Sequence, residues 1–254
     1  MTSRPLEGTV ALVTGASSGI GRATATRLAT EGAAVVIIAR RRERLDSLAT
    51  HLRSRGAEVT TAVVDISSAE GAVEAVGAAI AAHGRLDILV NAAGVMLNGP
   101  TCDATISDWD RMIDVNLKAL MYVTKNALPH LLEAASSSRR RVADVVNISS
   151  IAGRVANAHV AIYNATKFGV TAATEAWRQE YARKHVRFSV VEPGAVDTEL
   201  FGHQSAQTRR HYDDLFANVE MLHADDIAHA VSYIVGQSRR VALNEMVIRP
   251  TTQR

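Results

Sequence analysis

Tyr163 and Lys167 stand four residues apart in a segment with helical spacing, which puts both side chains on one face. A phenol ordinarily releases its proton near pH ~10, and an adjacent ammonium favours the phenolate, so such a pair can pass a proton to or from an oxygen. Y-x-x-x-K alone is ordinary helix decoration, and neighbouring groups must give it meaning. One candidate is the run Val145-Val146-Asn147-Ile148-Ser149-Ser150, a buried strand ending in two hydroxyls. Open α/β sheets bind ligands at the carboxyl ends of their strands. Either Ser149 or Ser150 could there donate to a carbonyl oxygen.

A second constellation lies near the amino terminus. Val10-Ala11-Leu12-Val13-Thr14-Gly15-Ala16-Ser17-Ser18-Gly19-Ile20-Gly21 reads as a strand, a glycine-rich turn and the start of a helix. Glycine admits positive φ and close backbone approach, and the unpaired amides of a helix N-terminus attract phosphate. A pyrophosphate is the expected guest, although G-x-x-x-G-x-G by itself also fits an ordinary tight turn. After the second strand, an acid would accept from a ribose 2′-hydroxyl and repel a 2′-phosphate. Here Ala39 is followed by Arg40, Arg41 and Arg42. Guanidinium groups pair with phosphate through parallel hydrogen bonds, which favours NADP(H) over NAD(H). Arg42 belongs with Glu43 to a helix start, leaving Arg40 and Arg41 for the contact.

These groups require a scaffold of alternating elements. β-Branched runs recur at Thr9–Thr14, Ala34–Ala39, Glu58–Val64, Leu86–Val90, Val142–Ile148, Arg187–Val191 and Glu245–Ile248. Helical spacing fills the intervals near 19–31, 42–54, 69–83, 107–133, 161–184 and 224–236. The alternation predicts an α/β fold, with helices on both faces of a seven-stranded parallel sheet. Ser136-Ser137-Ser138-Arg139-Arg140-Arg141 reads as a solvated loop. The long polar stretch from Val196 to Val219 follows a strand that ends at the ligand crevice and reads as a lid over a substrate.

Composition agrees with a core of small aliphatic side chains: 47% of the 254 residues are hydrophobic and only 4% aromatic. The 28 basic and 26 acidic residues are dispersed, which argues against nucleic acid as a partner. A single cysteine, Cys102, cannot form an intramolecular disulfide, and no metal-ligand spacing surrounds it, so a cytoplasmic protein without a metal is expected. The polar start of the chain and the short apolar runs predict neither a secretory leader nor a membrane partner.

Taken together, the motifs resemble those of the short-chain dehydrogenase/reductase family. The matches are Thr14-Gly15 to Gly21, Asn91-Ala92-Ala93-Gly94, Asn116, Ser150, Tyr163-Asn164-Ala165-Thr166-Lys167 and Pro193-Gly194, in order along nearly the whole chain. Ala92 departs from the family's usual N-N-A-G. The resemblance implies a single-domain Rossmann fold over 1–254, with a cofactor half to about residue 150 and a catalytic and substrate half beyond it. It implies a carbonyl–alcohol oxidoreductase, with Tyr163 as general acid/base, Lys167 tuning it and Ser150, rather than Ser149, holding the substrate oxygen. Asn116 would place a water that links Lys167 to solvent. Gly15, Ser17, Ser18, Gly19, Ile20 and Gly21 would cradle the cofactor's phosphates, with Asp65 and Ile66 at the adenine. Asn91, Ala92 and Gly94 would border the ribose, and Pro193, Gly194, Val196 and Thr198 the nicotinamide, beside Tyr163 and Lys167.

Substrate walls are expected at Val95-Met96-Leu97, Gly153-Arg154-Val155, His159 and Leu200-Phe201, with His203 nearby; Arg154 or His159 could bind a carboxylate or simply face solvent. The segments Gly94–Leu97, Ile151–Val155 and Glu192–Leu200 are particularly similar to the clavulanate (clavaldehyde) dehydrogenase branch. Family members assemble through the two helices placed here near 107–133 and 161–184, so a homo-oligomer, a tetramer, is expected. A catalytically silent NADP(H)-binding sensor is the alternative, and it would not need the intact Asn116, Ser150, Tyr163 and Lys167.

Overall fold

A computed structural model describes residues 4–204 and 206–253. Short β-branched runs form the main sheet, and Gly32, Gly56 and Gly84, all at positive φ, follow the helices that lead into three of them. Its strands are β1 (Val10–Thr14), β2 (Ala34–Ala39), β3 (Val59–Val63), β4 (Ile88–Asn91), β5 (Ala143–Ile148), β6 (Val186–Pro193) and, last in the chain, β9 (Glu245–Ile248). All pair in parallel in the order β3-β2-β1-β4-β5-β6-β9. The predicted seven-stranded parallel sheet is present, and the order reverses between β1 and β4, where open sheets form their crevice.

Alternation along each strand divides the core into two layers. Ala11, Val13, Val35, Ile37, Ile88 and Val90 face α1 (Gly19–Thr30), α2 (Arg42–Arg53) and α8 (Ala224–Val235). Leu12, Val36, Ile38 and Leu89 face the other way, toward α3 (Ala69–His83) and α5 (Ala119–Ser137), and Phe188 of β6 meets Trp177 and Tyr181 of α6 (Ala161–Tyr181) on this side. Apolar side chains on both faces are what a parallel sheet covered by crossover helices demands.

Three sequence expectations need correction. The single helix near 107–133 is instead α4 (Ile106–Ile113), a π turn at Asp114–Lys118 and then α5. The wider turn rotates Asn116 inward to the Val95 backbone, which a regular helix need not do. The 136–141 stretch is not simply a solvated loop. Arg139 and Arg141 are exposed, but Ser138 is buried and Arg140 pairs with the fully buried Asp144 of β5 at 2.9 Å. Asp144 also takes Arg187 of β6 at 2.6 Å, so a charge inside the sheet required these cations. The 196–219 stretch holds more secondary structure than its polarity suggested. It contains β7 (Val196–Asp197), a 3₁₀ turn at Glu199–His203 and α7 (Ala206–Phe216). β7 pairs in parallel with β8 (Leu222–His223), closing the segment expected to act as a lid at its base.

Candidate active site

The glycine turn lies where β1 hands the chain to α1. Gly15 has φ +69, and a Cβ there would sit 2.8 Å from the Cα of Ala93. At Gly21 a Cβ would come within 2.5 Å of the Gly15 carbonyl oxygen. Both positions therefore admit only glycine without a shift of backbone, and the α1 N-terminus is left open toward the crevice. Thr14 accepts from the Ala92 and Ala93 amides at 3.1 and 3.2 Å, which ties this turn to the one after β4. Ala92 thus costs the turn no backbone anchor.

A cavity of about 1110 Å³ runs along the carboxyl ends of the strands. Gly15, Ser17, Ser18, Gly19, Ile20 and Gly21 line one end, together with Arg40, Arg41, Asp65 and Ile66. Arg41 reaches back to Ser17 Oγ at 3.0 Å and Ser18 Oγ at 2.7 Å, so cations and hydroxyls converge on the glycine turn. Burial works to raise the Asp65 carboxyl. Hydrogen bonds from Ser67 and the charge of Arg40 outweigh it and hold that carboxyl below its usual range. Ala92, Gly94, Pro193, Gly194, Val196 and Thr198 line the middle.

Asn91, expected beside the ribose, is buried beneath the cavity, next to the wall formed by Ala92, Ala93 and Gly94. It donates to Thr124 at 3.0 Å and Asn147 at 2.9 Å, and Asn147 donates onward to Thr174 at 2.8 Å. This polar ladder braces β4 and β5 against α5 and α6. Sequence reasoning missed Thr124, Asn147 and Thr174; an asparagine in the apolar run of β5 was the available signal.

At the centre, Ser150 caps the 3₁₀ turn Ile151–Gly153, accepting from the Ala152 amide at 3.1 Å. Its hydroxyl also donates to the Pro193 carbonyl at 3.5 Å, and it shares the cavity wall with Tyr163, which α6 presents from its first turn. Ser149 turns the other way, donating to the Lys167 carbonyl at 3.0 Å. The Lys167 ammonium lies 5.6 Å from the Tyr163 ring centroid and donates to the Ile148 carbonyl at 2.9 Å. Burial pushes the Tyr163 hydroxyl up to about 12, and the nearby Ser150 hydroxyl only partly offsets this. Burial draws Lys167 down to about 8. Asn116 stands behind this group, outside the cavity wall. Its Oδ1 accepts from the Val95 amide at 2.8 Å and its Nδ2 donates to the Val95 carbonyl at 2.9 Å, which fixes the backbone where Val95 and Met96 line the cavity.

Of the expected substrate walls, Val95, Met96, His159, Leu200 and Phe201 line the cavity, while Leu97, Gly153 and Val155 stand off it. So does Arg154. It is drawn to the buried Glu192 and to Glu245, which bind its guanidinium on the far side of β6. The side chain of His203 lies outside the described residues. Sequence reasoning missed Asn98, Tyr212, Phe216 and Gln253, all on the wall. Phe201, Tyr212 and Phe216 pack with ring centroids 5.4–5.9 Å apart, an aromatic roof. Their i, i+4 spacing in α7 was the readable sign for Tyr212 and Phe216; Asn98 and Gln253 gave none.

A strand–glycine turn–helix at the switch point of a parallel sheet, with serine, tyrosine and lysine meeting across it, defines a class. The short chain dehydrogenase family profile matches residues 9–209, and the chain belongs to that family. It is 36% identical to an uncharacterised oxidoreductase of Staphylococcus aureus (strain USA300) over 241 residues, 95% of this chain and 96% of that one. Among solved structures it is similar to a serine dehydrogenase complexed with NADP+, with a TM-score of 0.88 and 30% identity, covering 97% of this chain and 96% of the other. It is also similar to actinorhodin polyketide ketoreductase with NADPH, with a TM-score of 0.83 and 31% identity over 98% of each chain. Among the described residues no helix is long and apolar enough to cross a membrane, and no three His, Cys, Asp or Glu side chains cluster to hold a metal.

Proposed function

We propose that the protein is an NADP(H)-dependent oxidoreductase that interconverts a carbonyl and an alcohol on a small, uncharged, largely apolar molecule. The meeting of Ser150, Tyr163 and Lys167 on one cavity wall, with the Lys167 ammonium 5.6 Å from the Tyr163 ring centroid, carries this reading. A glycine turn that excludes Cβ atoms, an open helix N-terminus and the Arg40 and Arg41 guanidiniums fit a dinucleotide bearing a 2′-phosphate. Neighbours complexed with NADP+ and NADPH support the same choice.

Bound NADP(H) supplies the hydride or takes it up. Ser150 holds the substrate oxygen and shares it with Tyr163. With its hydroxyl at about 12, Tyr163 keeps its proton at neutral pH and delivers it as the oxygen gains charge. Lys167 offers a positive charge behind the phenol ring, which favours the phenolate left after that delivery. Asn116 positions Val95 and so the wall beside the reacting carbon. Val95, Met96, Val160, Leu200, Phe201 and Phe216 form the substrate end, which accords with an apolar ketone or aldehyde more than with an amino acid. We further propose a cytoplasmic homotetramer formed through α5 and α6, where Phe168 is 42% exposed.

Nicotinamide fluorescence titration with NADPH and NADH, followed by a panel of aldehydes and ketones, tests the proposal. NADPH preference with oxidation by an apolar carbonyl supports it. Tight NADPH binding without turnover on any of them would favour the sensor.

A further inference from the structure

The lid and the cofactor half meet at one charged contact. Glu199 follows Thr198, which lines the cavity, and opens the 3₁₀ turn of the lid. Its carboxylate accepts from Arg41 Nη1 at 2.8 Å and from Arg44, one turn further along α2. The other donors of the same Arg41 guanidinium, Nε and Nη2, point to Ser17 Oγ, and Nη2 also to Ser18 Oγ. Arg41 is therefore clamped between the glycine turn and an acid from the lid. The side chains of Arg41 and Glu199 remain 44% and 42% exposed, so water and a bound anion can reach the pair. Hydrogen bonds from Arg41 and Arg44 hold the Glu199 carboxyl at about 2, which keeps it ionised throughout the working range.

We propose that Glu199 is a cofactor-discriminating residue: its carboxylate competes with the 2′-phosphate of NADP(H) for the Arg41 guanidinium. The inference rests on the NADP(H) reading above. Arg40, Arg41 and Arg44 oppose Asp65 and Glu199 at this end of the cavity, with Arg40 3.7 Å from Asp65. A phosphate monoester carries a charge of about −1.5 to −2 at neutral pH and outbids a single carboxylate for a guanidinium. Arg44 gives Glu199 a second partner to keep after Arg41 is taken. NAD(H), with a hydroxyl at that position, has no charge with which to displace the carboxylate. Glu199 thus weakens NADP(H) binding while leaving NAD(H) untouched, and narrows the preference that the arginines create.

The test is a titration of the full-length protein and of Glu199→Gln with 2′,5′-ADP and with 5′-ADP, by calorimetry at low salt. The variant is expected to bind 2′,5′-ADP about two- to fivefold more tightly, the range of a half-exposed ion pair, with 5′-ADP unchanged. The gain should shrink as salt is raised. An unchanged or weaker affinity for 2′,5′-ADP overturns the proposal, and so does an equal change for both nucleotides, which would mean that Glu199 only shapes the crevice. Failure of the wild-type protein to prefer 2′,5′-ADP over 5′-ADP would instead remove the NADP(H) reading, and the proposal with it.

Discussion

At the residue scale, burial moves Tyr163 and Lys167 in opposite directions, to about 12 and about 8. The phenol therefore stays protonated across the neutral range, and the ammonium behind it is the group that titrates there. Carbonyl reduction should hold level below pH 8 and fall as pH rises through about 8, when Lys167 discharges. Initial rates between pH 6 and 10 check this, and a profile without that limb would assign Lys167 another role. Stability should move the other way over part of this range. Lys167 binds its proton more weakly when folded than at its ordinary 10.5, so its contribution grows as pH rises from about 8 to about 10.5. Tyr163→Phe should lower turnover by about 10²–10⁴-fold and leave NADPH affinity nearly unchanged, measured by single-turnover kinetics and titration. The types and spacing of Ser150, Tyr163 and Lys167 were legible in the chain. Which way each pKa moves was not, because burial depends on the whole layer packed above the site. Arg154 shows the same limit: its type suggested an anion site, but Glu192 and Glu245, distant in sequence, claim it.

At the scale of elements, close backbone contacts decide which residues are replaceable. Gly71, in the first turn of α3, would place a Cβ 1.9 Å from the Asp65 carbonyl oxygen. Gly71→Ala should cost about 1–3 kcal/mol in denaturant unfolding and disturb Asp65 at the glycine-turn end of the cavity. Nothing in its neighbours announced this, since the contact is made by a loop folding back. The strands and most helices were readable from periodicity because each buries a continuous apolar face. The π turn was not readable, since one extra residue leaves the apolar spacing of 107–133 almost intact. Asn116→Ala should strand both polar groups of the Val95 peptide, each worth about 1–3 kcal/mol when left unpaired. The substrate KM should rise with it if the wall at Val95 and Met96 slackens.

Over the whole molecule, one buried ion network joins elements that the chain visits far apart. Asp144 of β5 holds Arg187 of β6, and Arg140 beside it reaches the Val235 carbonyl at the end of α8. Arg187 also donates to the Val241 carbonyl at 2.7 Å, which leads toward β9. Asp144→Ala should therefore lower unfolding free energy by about 3–5 kcal/mol, because it leaves two guanidiniums facing an apolar sheet. Sedimentation of the wild-type chain should show a tetramer, and Phe168→Asp should shift it to smaller species with NADPH binding retained. Lastly, the two-residue pairing of Val196–Asp197 with Leu222–His223 fastens both ends of the lid to each other before the chain rejoins the sheet. The segment between them is a cassette with a closed handle. Loop closure cost grows only with the logarithm of length, so evolution or an engineer can lengthen, shorten or exchange its contents without disturbing the register of β6 and β9. New substrates can be explored at the roof while the chemistry beneath it stays as it is.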